Sequence, residues 1–154
     1  MKWHPDYAKM HLTINLLEEK MASIIEIEGI GSVYREKLIA YGIKTVEGLL
    51  KAGASPSGRA DIEKGSGISK ALILEWVNHA DLFRIKGISE EYSDLLEEAG
   101  VDTVVELAQR KADNLYAKLK EVNMEKKLVR RLPSARQVGD WVSQAKSLPR
   151  IVTY

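Results

Sequence analysis

Residues 24–50 read IIEIEGIGSVYREKLIAYGIKTVEGLL, and this stretch decides the fold. At its centre, Gly29-Ile30-Gly31 predicts a tight turn between two short apolar-periodic segments. Glycine reaches positive φ without a Cβ clash, so such a turn brings backbone N–H groups to the surface. Beyond it, Val33, Leu38 and Ile39 are spaced so that a helix opening at Ser32 buries one stripe. Gly42 stands where that helix needs a left-handed cap. Thr45 is the expected N-cap of the next helix, and Ile43, Val46, Leu49 and Leu50 carry the helical spacing onward.

The pattern returns 58 residues later. Ile27, Gly29 and Ile30 fall on Ile85, Gly87 and Ile88; Tyr34 falls on Tyr92, Leu38 on Leu96 and Gly42 on Gly100. Thr45, Val46 and Leu49 fall on Thr103, Val104 and Leu107. So many identical residues at one offset mark an internal duplication. Trp76-Val77 has its partner in Trp141-Val142 at offset 65, so seven extra residues lie between the two halves of the second repeat. Both tryptophans sit on apolar faces and are expected to be core anchors.

The organisation that follows is an N-terminal extension over 1–20, a first repeat over 21–79, a second over 80–150 and a tail over 151–154. Residues 1–20 have no counterpart in either repeat. Glu18-Glu19-Lys20 before Met21 is what a purine-rich ribosome-binding sequence gives when translated, so two readings stay open: a reading frame extended upstream of Met21, or a genuine leader. In the first repeat, KAGASPSGRADIEKGSG reads as loop with a short helix over 59–64, and Gly65-Ser66-Gly67 reads as a second hairpin. A helix through Leu72, Ile73, Trp76 and Val77 follows. In the second repeat, Ser89 is placed to cap a helix beginning Glu90-Glu91. A further helix covers 114–122, a basic amphipathic helix covers 124–132, and Pro133-Ser134 opens a last one. No strand-like alternation competes. The expected fold is all-α, with eight to ten short helices in two similar bundles.

Composition narrows the function classes. With 45% apolar and 29% charged residues the chain has an ordinary globular balance. It has no cysteine, hence no disulfide, thiolate nucleophile or Cys-based zinc site. No apolar run reaches the roughly 20 residues that span a bilayer, and no signal pattern opens the chain; the expected location is the cytoplasm. The net charge of +1 conceals an uneven distribution. Residues 1–85 are balanced, 86–114 carry three basic and eight acidic side chains, and 115–154 carry nine basic and three acidic. There is no phosphate-binding loop, dinucleotide fingerprint or nucleophile elbow. His4, His11 and His79 are scattered, and no carboxylate–histidine spacing is read as a metal site. The expectation is a protein that is not an enzyme and needs no cofactor or metal.

The IEGIG turn, Tyr34, Leu38, Tyr41-Gly42-Ile43 with Thr45, and LPSARQVGDWVSQA over 132–145 together resemble the tandem helix-hairpin-helix family. Within it the chain is similar to an uncharacterised bacterial and archaeal branch catalogued as a domain of unknown function, which itself resembles the recombinase N-terminal domain. The resemblance covers about residues 24–148. It implies hairpin amides that hold nucleic-acid phosphates, DNA or RNA, without reading sequence. Hairpin N–H groups beside a helix N-terminus form an anion site, and nearby Lys or Arg adds charge.

Carried onto this sequence, the implied contacts at the first hairpin are Gly29, Ile30, Gly31 and Arg35, opposed by Glu26, Glu28 and Glu36. At the second they are Lys64, Gly65, Ser66, Gly67 and Lys70, the strongest phosphate candidate. The third has Ser89 for glycine with Glu90-Glu91 behind it, which repels phosphate. The fourth lacks glycine but leads into Lys126, Lys127, Arg130 and Arg131. That basic face reads equally as a solvated helix surface, a phosphate contact or the partner of an acidic surface, the 86–114 region included. Two functions follow: weak, sequence-independent binding of nucleic-acid backbone, or a protein–protein adaptor that kept the fold and lost those contacts. No membrane and no small-molecule substrate is implied.

Overall fold

Helix caps set the register of the chain. The structure, a computed structural model, describes residues 23–154 other than Glu28; the expected extension over 1–20 lies outside the described residues. Among the described residues a 3-10 turn, Ile24–Glu26, precedes eight α-helices. They are α1 Ser32–Tyr41, α2 Val46–Ala52, α3 Pro56–Ser66, α4 Lys70–Leu82, α5 Glu90–Glu98, α6 Val104–Ala108, α7 Ala112–Lys126 and α8 Ala135–Ser147. The fold is all-α. No helix among the described residues is long and apolar enough to cross a membrane.

α1 ends at Gly42 in the left-handed conformation (φ 113°), with the Ile43 N–H donating to the Leu38 carbonyl at 2.8 Å. α5 ends in the same way: Gly100 has φ 90° and the Val101 N–H donates to the Leu96 carbonyl at 2.8 Å. Thr45 and Thr103 cap α2 and α6 by accepting from the N–H groups of Gly48 and Glu106, at 3.0 and 3.3 Å. Ser55 caps α3 ahead of Pro56, and Ser134 with Gln137 closes a reciprocal capping box on α8.

The residues that recur in sequence recur as one contact in space. Gly29 and Gly87 both have positive φ, 89° and 98°. A Cβ on either would lie 3.4 or 3.0 Å from the indole Nε1 of Trp76 or Trp141. Tyr34 meets Trp76 with ring centroids 5.1 Å apart, and Tyr92 meets Trp141 at 5.2 Å. Each half thus closes its glycine turn over the tryptophan of its last helix, with a tyrosine against the ring. Both tryptophans are buried, as expected.

Two apolar cores result. One gathers Ile24, Leu38, Leu49, Ile62, Ile73 and Trp76; the other gathers Leu82, Leu95, Leu107, Leu119, Val138 and Trp141. Phe83 packs against both. The tail is docked on the first half. Val152 is buried in the first core, the Thr153 N–H donates to the Ala54 carbonyl at 2.8 Å, and Arg59 donates to the Thr153 carbonyl at 2.7 Å.

Three expectations are overturned. In α1 only Leu38 is buried, while Val33 is 63% exposed and Ile39 lies at the surface; the core is reached by Leu38 and by Tyr34 against Trp76, which leaves the opposite face outward. Gly65-Ser66-Gly67 is not a hairpin. Ser55 and Pro56 start α3 early, and it runs through Gly65 and Ser66 to a left-handed cap at Gly67, φ 75°. Gly65 is small because a Cβ there would lie 2.4 Å from the Tyr41 ring. Residues 124–132 do not form a helix of their own either: 124–126 are the end of α7, and Lys127 turns left-handed with φ 51°. The Asn123 side chain then brackets the loop, bonded both to the N–H and to the carbonyl of buried Val129. Of the seven extra residues, two lengthen the end of α7 and five the loop before α8.

Candidate functional site

The four junctions differ in what their amides already hold. At the first, Gly29 and Gly31 are exposed and Ile30 is buried, its N–H donating to the Ile27 carbonyl at 3.2 Å. Gly31 is the N-cap of α1 with extended backbone, and no side chain caps the helix. Arg35 and Lys37 are exposed on α1, the Lys37 ammonium lying 5.9 Å from the Tyr34 ring centroid.

At the second, between α3 and α4, the donors are occupied from within. The Lys70 N–H donates to the Glu63 carboxylate at 2.7 Å, the Ile68 N–H to Ser66 Oγ at 3.2 Å and the Leu72 N–H to Ser69 Oγ at 3.4 Å. Lys64, Gly67 and Lys70 are exposed around this turn. A carboxylate sits where a phosphate oxygen would bind.

At the third, Gln144 is hydrogen-bonded to both the N–H and the carbonyl of Lys86, and Ser89 stands at the N-cap of α5 without a side-chain cap bond, followed by Glu90 and Glu91. The fourth is the loop after α7. Lys126 is ion-paired with Glu98, whose hydrogen bond raises the lysine's pKa. Lys127, Arg130 and Arg131 are exposed on irregular backbone, and the Arg131 carbonyl accepts from the Tyr92 hydroxyl at 3.1 Å. The expected basic helical face is therefore not built, and one of its cations is held by the acidic 86–114 region.

A different group of residues converges between the halves. Glu75 and His79, one turn apart on α4, face Glu97 on α5, and the three offer ligand atoms all within 4.8 Å of one another. His79 is 4% exposed. Its Nε2 lies 2.6 Å from a Glu97 oxygen, and its Nδ1 lies 3.2 Å from Ser93 Oγ. They line a cavity of about 340 Å³ together with Ala71, Asn78 and Asp102. A neighbouring cavity shares all three residues and adds Gly29, Asp94 and Glu98.

No carboxylate–histidine spacing is read from the sequence as a metal site, yet the fold brings these three side chains together. Glu75 and His79 are four apart, a spacing that puts both on one helix face and was legible in the sequence. Glu97 was not: only the packing of α4 on α5 brings it in.

Burial pushes the Asp102 carboxyl above the usual aspartate range, Glu106 and Glu75 add to the rise, and His79 opposes it. A carboxyl that protonates more readily folded than unfolded weakens the fold once pH exceeds its folded value, and acid removes that penalty. Asp102→Asn is accordingly expected to raise Tm at pH 7 and to lose the advantage below about pH 4, the ordinary aspartate range. Thermal melts of both chains at the two pH values check this; an equal shift at both would exclude the charge as its origin.

No curated protein and no solved structure matches this chain. The family model described as Domain of unknown function (DUF4332) matches residues 28–148, and the chain belongs to that family.

Proposed function

We propose that this chain is a non-catalytic scaffold of two helix-hairpin-helix units, similar in plan to the recombinase N-terminal domain, whose partner is a protein rather than a nucleic-acid backbone. The paired Gly–Trp–Tyr contacts at equivalent positions support the two-unit reading. One observation carries the choice of partner: the Glu63 carboxylate already occupies the Lys70 amide. A phosphate entering there must displace a 2.7 Å hydrogen bond and approach a like charge. The third hairpin is followed by two glutamates, and the fourth is a loop with Lys126 paired to Glu98. Meanwhile α1 carries Val33 and Ile39 outward, apolar surface available to another chain. The absence of cysteine suits the reducing cytoplasm as its location.

A second reading rests on the first hairpin. No side chain caps α1 behind exposed Gly31, and Arg35 and Lys37 lie along the same helix. That favours a single weak phosphate contact without sequence preference.

The deciding experiment is fluorescence anisotropy of a short labelled duplex with the purified chain at two salt concentrations. The scaffold reading expects no salt-sensitive binding. Binding that falls steeply with salt, and that disappears with Arg35→Glu and Lys37→Glu, would hand the function to nucleic acid. A photo-crosslinking residue at position 33 is the complementary probe, expected to trap protein.

A further inference from the structure

We propose that Glu75, His79 and Glu97 form a binding site for a divalent transition-metal ion of the zinc class, which ties the first half of the molecule to the second. Two ligands come from α4 and one from α5, so an ion held there bridges the helices that join the two cores.

The hydrogen-bond geometry of His79 points to this use. The Ser93 hydroxyl gives its one proton to the Glu90 carbonyl at 2.9 Å, so toward the imidazole it can only accept. The proton between Ser93 and the ring therefore belongs to Nδ1, at 3.2 Å. A neutral ring in this tautomer presents a bare lone pair at Nε2, and 2.6 Å away stands a carboxylate oxygen, another lone-pair bearer. Such an arrangement needs a positive charge on or between the two atoms. A second proton makes the ring an imidazolium; a metal ion satisfies both lone pairs and Glu75 as well. Metal-bound histidines ordinarily have the other ring nitrogen fixed in this way by an oxygen acceptor, which sets tautomer and ring orientation.

Size and charge agree. Ligand bonds of about 2.0–2.2 Å require ligand atoms within roughly 4.4 Å of one another, and the three lie within 4.8 Å. Glu75 is exposed and supplies the small adjustment by turning its side chain. The 2.6 Å pair opens toward the roughly 3.3 Å of a tetrahedral set. The cavity has room for water to complete the coordination shell. Asp94 and Asp102 line the adjoining cavities, while Glu98 is already paired with Lys126, so the remaining field around the site attracts cations. One imidazole with two carboxylates is a donor set that zinc accepts, and without an ion these carboxylates repel one another.

The test is isothermal titration of Zn²⁺ into the full chelator-treated chain, with Tm measured alongside and Co²⁺ as a spectroscopic probe. The expectation is a binding event that raises Tm, a visible Co²⁺ absorption from the same site, and at least a tenfold loss of affinity in Glu75→Gln. Because Glu75 is exposed, that variant keeps the fold; Glu97→Gln is the second variant and should lose affinity likewise. Absence of any zinc-dependent Tm shift overturns the proposal. So does zinc binding that both variants leave unchanged, since it would then lie elsewhere on the chain.

Discussion

Replacing Arg59 with alanine is expected to lower the unfolding free energy by about 3–4 kcal/mol, as three charge-assisted hydrogen bonds are lost together. Arg59 is 4% exposed and, with Ile62, one of the two buried residues of α3. Its Nη1 donates to the carbonyls of Gly53 and Ala54 at 2.8 and 3.1 Å, and its Nη2 donates to that of Thr153 at 2.7 Å. The guanidinium also lies 5.9 Å from the Tyr154 ring centroid. One side chain thus closes the loop between α2 and α3 and pins the tail against it.

Lysine at position 59 should recover less than half of the loss, because an ammonium cannot reproduce the fork that reaches both segments. Truncation after Ile151 removes Val152 from the first core and should itself destabilise the chain. In a double-mutant cycle the two changes should couple by at least about 1 kcal/mol, since each removes the other's partner. Urea unfolding followed by circular dichroism measures all four corners. Strict additivity would show that Arg59 acts only within its own loop and that the tail is held by other contacts.

Asp81→Ala is expected to cost about 3 kcal/mol, the range for removing one partner of a buried ion pair. Asp81 is 2% exposed near the end of α4. One carboxylate oxygen accepts from Arg84 Nη1 at 2.9 Å, and the other accepts from the Val104 N–H at 2.9 Å. Val104 is the first residue of α6, so the short helix of the second half is capped by an aspartate 23 positions upstream. Alanine leaves the Val104 amide unsatisfied and the Arg84 guanidinium with its bond to the Pro149 carbonyl at 2.6 Å.

Asparagine should cost about half as much, because its one oxygen serves only one of the two donors. Hydrogen exchange distinguishes a local from a global effect. Faster exchange at Val104 and through α6 is expected in Asp81→Ala, with the amides of α1 little changed. Uniform acceleration across both halves would mean that Asp81 supports the whole fold rather than the α4–α6 junction.

The sequence by itself determined the helical class, the duplication and the caps at Gly42, Thr45 and Ser134, but not the side-chain cap expected of Ser89, which is not made. These are local or periodic properties: Thr45 and Thr103 cap the helices that follow them through the adjacent backbone, and Gly42 and Gly100 end theirs in the left-handed conformation after the last apolar residues. It also carried Glu75 and His79 at one-turn spacing, although three scattered histidines hid that pair. The tertiary structure decided everything that depends on who sits across the gap. Gly65 reads as turn chemistry until the Tyr41 ring is seen against it. Lys70 is expected beside a phosphate, and only the fold shows Glu63, seven residues back, on its amide. The run from Met124 to Leu132 has helical composition, but past Lys126 bonds from Asn123 to Val129 hold it as a loop. Glu97 joins His79 only because α5 packs on α4. Periodicity specifies which face of a helix turns inward; it does not specify which residues of another helix meet that face, because that depends on packing between segments distant in the chain.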